Sequence, residues 1–410
     1  MFSSPQFSSS PNPKKRGKAS APSIRIPLSV PQLSAAEQDA VMACLQSGWI
    51  STASPQVRAF ESAFAETVQA EYAVATHAGT AAIHLALLGL GVGPGDEVIV
   101  PALSFVASVN PVLYVGATPV FIDVEMNTFG LDPDQLEAAI TPNTKAIIVA
   151  HLYGFTARMH EIMEIAKRHE IPVIEDAAES LGATYNGQPV GTIGTFGCFS
   201  FNGNKTLTCG GGGMLVTNSP MLAEKVRHLS TQAREAGLEF SHDDIGYNMR
   251  MTGMQAALGL AQLGRLEEFL SKKRAIAETY ADRFSLMPGI KPCFSQRTMP
   301  RAVPSYWLSV MLLEDASFRT MLIEKGLQSG IEMRPFFKPF HLMKPYQPYC
   351  IGKEFPVAES LWNRGVCLPS SPSLTDFEQH EVTSFIWKCL GKRRGSLAFF
   401  DLALPGLLGL

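Results

Sequence analysis

The chain has 410 residues, of which 46% are hydrophobic and 17% charged, so it can bury a large core and is not a disordered polypeptide. Its 34 basic and 37 acidic residues give a net charge of -3, which excludes a chain built to bind a polyanion such as nucleic acid. Seven cysteines, an odd number without a Cys-x-x-Cys pair, argue against a disulfide framework or a zinc site and predict reduced thiols in the cytoplasm, with no bound metal.

The two ends of the chain differ from the rest. Residues 1–23 are rich in Ser and Pro, contain Lys and Arg but no acid, and lack the apolar run of a signal peptide, which predicts a disordered tail. Residues 392–410 begin with the basic cluster Lys392-Arg393-Arg394 and continue as an apolar stretch broken by Pro405. That stretch is too short to span a bilayer, so we expect a packed or disordered terminus, or a weak contact with a membrane surface.

Between the tails, two helices are predicted first and a regular alternation of strands and helices follows. Ser34 and Glu37, three residues apart, form a capping box that opens the first helix, and a second helix is predicted over 54–68. The predicted strands are 72–76, 97–101, 119–124, 146–151, 172–175, 195–201 and 213–216, and the helices between them are 81–90, 104–115, 132–139 and 159–169.

This alternation predicts an α/β domain with a mostly parallel sheet that helices cover on both faces. A long amphipathic helical stretch is predicted over 254–284, and from about residue 288 the pattern changes to mixed strands and helices. We therefore expect a large domain over 24–285 and a smaller α+β domain over 286–391. The start of the large domain could also pack against the small one.

Three loops fall where the predicted strands end, which is where α/β proteins bind ligands. Gly79-Thr80 opens a helix whose N–H groups suit a phosphate, although such a pair is often only a cap. Glu175-Asp176 could supply a base, a metal ligand, a partner for a protonated ring nitrogen, or a cap for the next segment. Lys205 stands between an apolar strand and a run of four glycines, a setting that suits a Schiff-base lysine better than a solvated surface lysine.

Taken together, these loops indicate a site for pyridoxal phosphate (PLP). The aldehyde of that cofactor needs a lysine amine, its pyridine nitrogen needs a carboxylate, and its phosphate needs a helix N-terminus with hydroxyl donors. Along the chain the order is phosphate loop, Asp176, and then Lys205.

Longer ordered motifs surround these residues. They are Ser47-Gly48-Trp49-Ile50-Ser51, His77-Ala78-Gly79-Thr80-Ala81-Ala82, Gly95-Asp96-Glu97-Val98, His151-Leu152-Tyr153-Gly154, Glu175-Asp176-Ala177-Ala178-Glu179-Ser180, the Lys205 segment with its glycines, Gly246-Tyr247-Asn248, and Arg334-Pro335 before His341. Over about residues 24–388 the chain resembles the DegT/DnrJ/EryC1/StrS family of PLP-dependent nucleotide-sugar aminotransferases. The resemblance implies the fold type I architecture of the aspartate aminotransferase superfamily.

The resemblance implies a role for each matching residue. Lys205 would bind the cofactor covalently and shuttle the proton to the sugar C4, and Asp176 would pair with the pyridine nitrogen. Glu179 stands where relatives contact the ring hydroxyl, and Phe105 where an aromatic side chain stacks on the ring. The residues that would bind the cofactor's phosphate are Gly79, Thr80 and Ser200, together with Asn248 from the partner subunit of a homodimer.

Some positions depart from the pattern of the family. Gly253 and Gly264 replace other residues inside the predicted helix, where each glycine would destabilise the helix by ~1 kcal/mol relative to alanine. The essential position holds Lys205 and not the histidine of a dehydratase branch, which favours transamination over dehydration. A non-catalytic or regulatory relative that only keeps the fold is the alternative of another class, and the retained pair of Lys205 and Asp176 argues against it.

The substrate expected from the resemblance is a nucleotide-linked 4-keto sugar, with glutamate as the amino donor, on a route to bacterial surface polysaccharide. The segment around Lys205 looks most like enzymes that aminate UDP-linked 4-keto-6-deoxy-N-acetylhexosamines. Other segments look like GDP-perosamine synthases, which act on GDP-4-keto-6-deoxymannose, and this is the alternative. Arg334, Lys338 and His341 are candidates for contacts with the nucleotide diphosphate or the sugar, although each could also be a solvated or structural residue.

Overall fold

The computed structural model describes residues 23–285, 287, 289–292 and 301–391. The strands of the central sheet are β1 (Tyr72–Thr76), β2 (Glu97–Pro101), β3 (Thr118–Ile122), β4 (Thr144–Ala150), β5 (Val173–Asp176), β8 (Phe196–Ser200) and β9 (Gly213–Thr217). A short hairpin of β6 (Thr184–Tyr185) and β7 (Gln188–Pro189) pairs with β11 (Ala302–Val303). The second sheet contains β10 (Ile290–Pro292), β12 (Ser309–Leu313), β13 (Arg334–Pro335) and β14 (Gly365–Leu368).

Twelve α-helices pack around these sheets in the described part of the chain. They are α1 (Ala35–Ser47), α2 (Pro55–Val68), α3 (Gly79–Gly89), α4 (Asn110–Tyr114), α5 (Pro133–Ala139), α6 (Met159–Arg168), α7 (Pro220–Ser230), α8 (Gly253–Leu263), α9 (Leu266–Ser285), α10 (Phe318–Gln328), α11 (Pro356–Arg364) and α12 (Asp376–Gly391).

The predicted α/β class with a mostly parallel sheet is confirmed. The strand order is β1-β9-β8-β5-β4-β2-β3, and the pairs from β8 through β3 are parallel. Only β9 of this sheet runs antiparallel to its neighbours, β1 and β8. Because β8 and β9 are antiparallel, the loop that joins them, which holds Lys205, lies at the same sheet edge as the ends of the parallel strands.

The central sheet is buried on both faces, which explains its continuous apolar runs. Along β4, Ile147 and Val149 pack in a cluster with residues of α5 and α6, whereas Ile148 and Ala150 pack in the cluster that includes α3, α4 and α7. These side chains alternate between the two clusters because successive residues of a strand face opposite sides. The ends of the strands are therefore held rigidly, and the loops that follow them are positioned by a solid core.

Two predicted helices are wrong as continuous elements. The helix expected over 104–115 is a 3-10 turn at Val106–Ser108 followed by α4. Pro111 has no N–H to donate and restricts the residue before it, so a single helix cannot run through this segment. The stretch expected over 254–284 divides into α8 and α9, which are separated at Gly264.

Gly253 and Gly264, both expected to weaken a helix, do not lie in a helix interior. Gly264 caps the end of α8 with an ordinary φ of -61°. Gly253 begins α8, and its N–H donates to the carbonyls of Ile50 and Ser51. A Cβ at Gly253 would lie 2.5 Å from the Cβ of Ser54, so close packing of α8 against the start of α2 requires glycine here.

The small domain is organised around the sheet β10-β12-β14-β13. Its core includes Ile276, Tyr280 and Phe284 of α9, so the second half of that helix belongs to the small domain by packing. Ile26 joins the same core and pairs with Ile331. The domain boundaries expected from the sequence stay a prediction.

The predicted tails, residues 1–22 and 392–410, lie outside the described residues, and so does the membrane contact suggested for the second. Within the described ranges, no helix is long and apolar enough to cross a membrane. The six cysteines there form no disulfide with one another, and five of them are buried. The cytoplasmic location inferred from the cysteine pattern stays a prediction.

Glu37 joins the first helix to the junction of α8 and α9. It is 2% exposed and completes the predicted capping box with Ser34. Its other oxygen accepts hydrogen bonds from Gln262 at 2.6 Å and Arg265 at 3.0 Å. Burial raises the pKa of this carboxyl, but the hydrogen bonds from Ser34, Gln262 and Arg265 outweigh it and bring the pKa to about 2.

We expect Glu37→Gln to lower the free energy of unfolding at pH 7 by about 1–3 kcal/mol, seen as a lower urea midpoint, because Arg265 would lose the buried one of its two carboxylate partners, Glu37 and Glu268. The folded pKa lies below the ordinary value of 4.5, so this contribution is complete above pH 4.5 and is lost as the pH falls towards 2. The difference in unfolding free energy between the Glu37→Gln variant and the wild type should thus be larger at pH 7 than at pH 3.5. Asp39→Asn, on the exposed face of the same helix, is the control and should change neither midpoint. An equal difference at both pH values would contradict this account.

Candidate active site

A cavity of about 440 Å³ lies at the edge of the central sheet where the parallel strands end. Its walls include the start of α3, the end of β5, the loop after β8, and two aromatic residues from the small domain. Seven of the predicted site residues line it: Gly79, Thr80, Phe105, Asp176, Glu179, Ser200 and Lys205. Residues far apart in sequence are thus brought together by the topology of the sheet.

The N-terminus of α3 forms one end of the cavity. Gly79 begins this eleven-residue helix and is buried, and a Cβ at its position would lie 2.8 Å from the Cβ of Ser200. The absence of a side chain therefore lets the backbone N–H groups of the first turn approach the Ser200 hydroxyl. Thr80 adds a second hydroxyl at the same turn. Free N–H groups, a positive helix dipole and two hydroxyls suit a phosphate group.

Asp176 lies at the end of β5 and is 7% exposed. Ser108 donates a hydrogen bond of 2.5 Å to its Oδ2, and the N–H of Ala178 donates one of 3.2 Å to Oδ1. Ser104 completes the network through a 2.7 Å hydrogen bond to Ser108. These donors fix both oxygens of the carboxylate in place, where it can accept a hydrogen bond from a protonated ring nitrogen. Neither serine belongs to a motif, and only the turn before α4 brings them here.

Glu175 and Asp176 are adjacent but have different roles. The Glu175 side chain is completely buried and accepts hydrogen bonds from the N–H groups of Gly191, Ile193 and Gly194. His151 also bonds to it, at 3.0 Å. Glu175 therefore anchors the loop before β8, and of the two candidate carboxylates only Asp176 lines the cavity.

Lys205 meets Glu179 and Trp307. Its Nζ lies 3.2 Å from Glu179 Oε1 and 3.8 Å from the centre of the Trp307 ring. The second oxygen of Glu179 accepts the N–H of Tyr153 at 2.9 Å. Burial raises the pKa of Glu179, and the positive charge of Lys205 opposes that rise. An ammonium with a carboxylate on one side and an aromatic face on the other is held in a defined place within the cavity.

Aromatic side chains form the wall near the cavity mouth. Phe105 is 52% exposed, and its ring lies 5.6 Å from that of Phe337, which in turn stacks on Tyr153 at 5.3 Å. An exposed phenylalanine over a cavity is suited to covering a planar ring. Phe337 and Trp307 come from the small domain and were not predicted, because single aromatic residues far from any motif give no signal in one sequence.

Four predicted residues do not line this cavity. Asn248 is exposed and pairs through its backbone with Thr231. Arg334 is also exposed and forms an ion pair of 2.7 Å with Glu332. His341 bonds to Glu359 at 2.8 Å, and Lys338 lies 5.8 Å from the Trp362 ring. Their roles towards substrate or a partner subunit remain predictions.

The residues of the cavity fit PLP. The start of α3 offers donors for its phosphate, Asp176 offers a carboxylate for its ring nitrogen, and Lys205 offers a primary amine for its aldehyde. Phe105 offers an aromatic surface for its ring.

Comparison with known proteins agrees with this geometry. The sequence model of the DegT/DnrJ/EryC1/StrS aminotransferase family matches residues 31–386. A GDP-perosamine synthase of Escherichia coli O157:H7 is 42% identical over 351 residues, which are 86% of this chain and 94% of that protein. A GDP-perosamine synthase of Caulobacter vibrioides is 41% identical over 364 residues, 87% of this chain and 96% of that protein.

Among solved structures, the PLP form of Spr1654 from Streptococcus pneumoniae superposes with a TM-score of 0.84 at 30% identity, over 90% of this chain and 99% of that one. The expected fold type I architecture and the expected cofactor are thereby confirmed. The chain belongs to the DegT/DnrJ/EryC1/StrS family and is a PLP-dependent sugar aminotransferase.

Proposed function

We propose that this enzyme transfers the amino group of glutamate to C4 of a nucleotide-linked 4-keto-6-deoxy sugar, and that the favoured substrate is GDP-4-keto-6-deoxymannose. The observation that carries the reaction class is the meeting of Lys205, Asp176 and the α3 N-terminus in one cavity. Support for the GDP sugar comes from the two GDP-perosamine synthases, which match nearly their full length at 41–42% identity. The UDP-linked N-acetylhexosamine preferred from the Lys205 segment is therefore the second candidate.

PLP, when bound, supplies a ring that accepts electrons from a substrate carbon. The chain's own residues do the rest. Asp176, with Ser108 and Ala178 fixing its oxygens, keeps a proton on the ring nitrogen. Lys205 moves a proton at the reacting carbon, and Glu179, 3.2 Å away, is the nearest carboxylate that can balance its charge. The first turn of α3 holds the phosphate and so fixes the cofactor during the reaction.

Substitutions of Lys205 and of Asp176 should have different effects on cofactor binding and activity. Lys205→Ala should leave no cofactor attached to the protein after borohydride reduction and should abolish activity, because it removes the amine. Asp176→Asn should still fix the cofactor on Lys205 but should slow the reaction with glutamate by about 10²–10⁴-fold, because an amide cannot keep the ring nitrogen charged. Mass spectrometry of the reduced protein and single-turnover absorbance measure the two effects. Lys225→Ala, an exposed lysine on α7, is the matched control.

The substrate is tested by offering both nucleotide sugars. Purified enzyme with glutamate should aminate GDP-4-keto-6-deoxymannose, seen by mass spectrometry as replacement of the keto oxygen by an amine. It should use a UDP-linked 4-keto-6-deoxy-N-acetylhexosamine at least ~10²-fold less efficiently in kcat/KM. Preference for the UDP sugar would establish the second candidate instead. Loss of the visible absorbance of the bound cofactor on adding glutamate, without amination of either ketone, would contradict the proposed substrate class. No change of that absorbance with glutamate would favour a non-catalytic relative.

We also propose a homodimer in which Asn248 completes the partner's phosphate site. Two observations support it: Asn248 is exposed and outside the cavity of its own chain, and several large apolar side chains are exposed along α1 and the segment that follows it. They are Met42 at 53%, Leu45 at 46%, Trp49 at 58% and Ile50 at 40% exposure. Large apolar residues grouped on a surface are typical of an interface.

Mixing two inactive variants tests this arrangement. If Asn248 acts across the dimer, subunits with Lys205→Ala and subunits with Asn248→Ala should regain activity when they are unfolded, mixed equally and refolded. About a quarter of the wild-type activity is expected, since half of randomly formed dimers are mixed and each has one intact site. Each variant refolded alone is the control. Failure of the mixture to exceed the controls, with mixed dimers shown by native mass spectrometry, would place Asn248 in its own subunit's site.

A further inference from the structure

Trp307 links the small domain to the loop that carries Lys205. It lies two residues before the start of β12 and is 5% exposed. Its ring face lies 3.8 Å from Lys205 Nζ, and its Nε1 donates a 2.7 Å hydrogen bond to the carbonyl of Asn204. One side chain thus contacts both the amine of Lys205 and the backbone immediately before it.

The backbone around Lys205 is held from several directions. The Asn204 carbonyl also accepts a 2.9 Å hydrogen bond from the hydroxyl of Ser29, and the N–H of Lys205 donates to the Asn202 carbonyl at 3.0 Å. A lysine side chain loses rotamer freedom when it is fixed in one place. Because the backbone and the aromatic face already fix the side chain, less conformational entropy is lost when the amine reacts with the cofactor's aldehyde.

Lys273, in α9, binds the backbone of Trp307. Its side chain is buried, and its Nζ donates to the Trp307 carbonyl at 3.0 Å and to the Ser370 carbonyl at 2.9 Å. A neutral amine has two N–H groups, which match these two acceptors. In agreement with this geometry, burial lowers the pKa of Lys273 to about 7. Lys273 thereby ties the segment before β12 to the segment after β14.

We propose that Trp307 is a positioning residue for Lys205, and that Lys273 acts through Trp307 by holding it over the amine. The ring face favours one orientation of the lysine side chain, and the indole N–H fixes the backbone that carries it. The inference does not depend on which nucleotide sugar is used, because it concerns the attachment of PLP alone. Its failure is thus distinguishable from a failure of the proposed substrate.

The test is the dissociation constant of PLP, titrated into the protein freed of cofactor, in two backgrounds. With Lys205 present, Trp307→Leu should weaken PLP binding by about tenfold, because the lysine side chain and the Asn204 carbonyl lose the ring face and the indole N–H that hold them in place before the aldehyde binds. In a Lys205→Ala background, where binding is non-covalent, the same change should alter the dissociation constant less than about twofold. A merely structural role for Trp307 would weaken binding equally in both backgrounds, and that result would overturn the proposal.

Further variants test the two contacts and the role of Lys273. Trp307→Phe keeps a ring face but loses the Nε1–H, so it should weaken PLP binding less than Trp307→Leu. Lys273→Met should weaken it in the same direction, and Trp307→Leu with Lys273→Met should be no weaker than Trp307→Leu alone. Additive losses would show that Lys273 acts independently. Trp362→Leu removes another tryptophan beside cations, Arg319 at 4.7 Å and Lys338 at 5.8 Å, and should leave PLP affinity unchanged.

Thermal unfolding of each variant identifies any that fails to fold. If Trp307→Leu does not fold, the pair of Trp307→Phe and Lys273→Met carries the test in the two backgrounds. Equal weakening with and without Lys205 would again overturn the proposal.

Discussion

The site depends on the parallel pairing of β5 with β8. In that pairing Asp176 lies opposite Cys198, so the end of β5 and the loop that leaves β8 meet at one edge of the sheet. Because β9 returns antiparallel beside β8, the loop between them turns back over the same edge and carries Lys205 with it. The carboxylate and the amine are therefore brought to one cavity by backbone hydrogen bonds, before any side-chain contact is considered.

Buried polar residues keep this edge in place. Glu175 binds three backbone N–H groups of the loop before β8, and Ser108 fixes the adjacent Asp176. Glu179 joins Lys205 to the Tyr153 backbone. Each buried carboxylate has its own donors, which is the condition for burying charge without a large loss of stability. Residues that line the cavity, Asp176 and Glu179, and a residue that supports them, Glu175, thus lie within one short segment.

Much of the fold and part of the site can be predicted from the sequence, for physical reasons. Buried parallel strands are short apolar runs, and Lys205 and Asp176 stand in ordered motifs beside glycines. Trp307, Phe337 and Ser108 were not predictable, since tertiary packing alone brings them to the cavity from isolated positions. The division at Gly264 was missed because both halves share one helical period. Arg334 and His341 had a favourable charge, but charge alone does not fix where a side chain lies.

The most direct test of the whole account is a crystal structure of the protein grown with PLP. We expect continuous electron density between Lys205 Nζ and the cofactor, the ring nitrogen within hydrogen-bond distance of Asp176, and the phosphate at the first turn of α3. Cofactor density attached to another lysine, or a phosphate bound away from α3, would contradict the account.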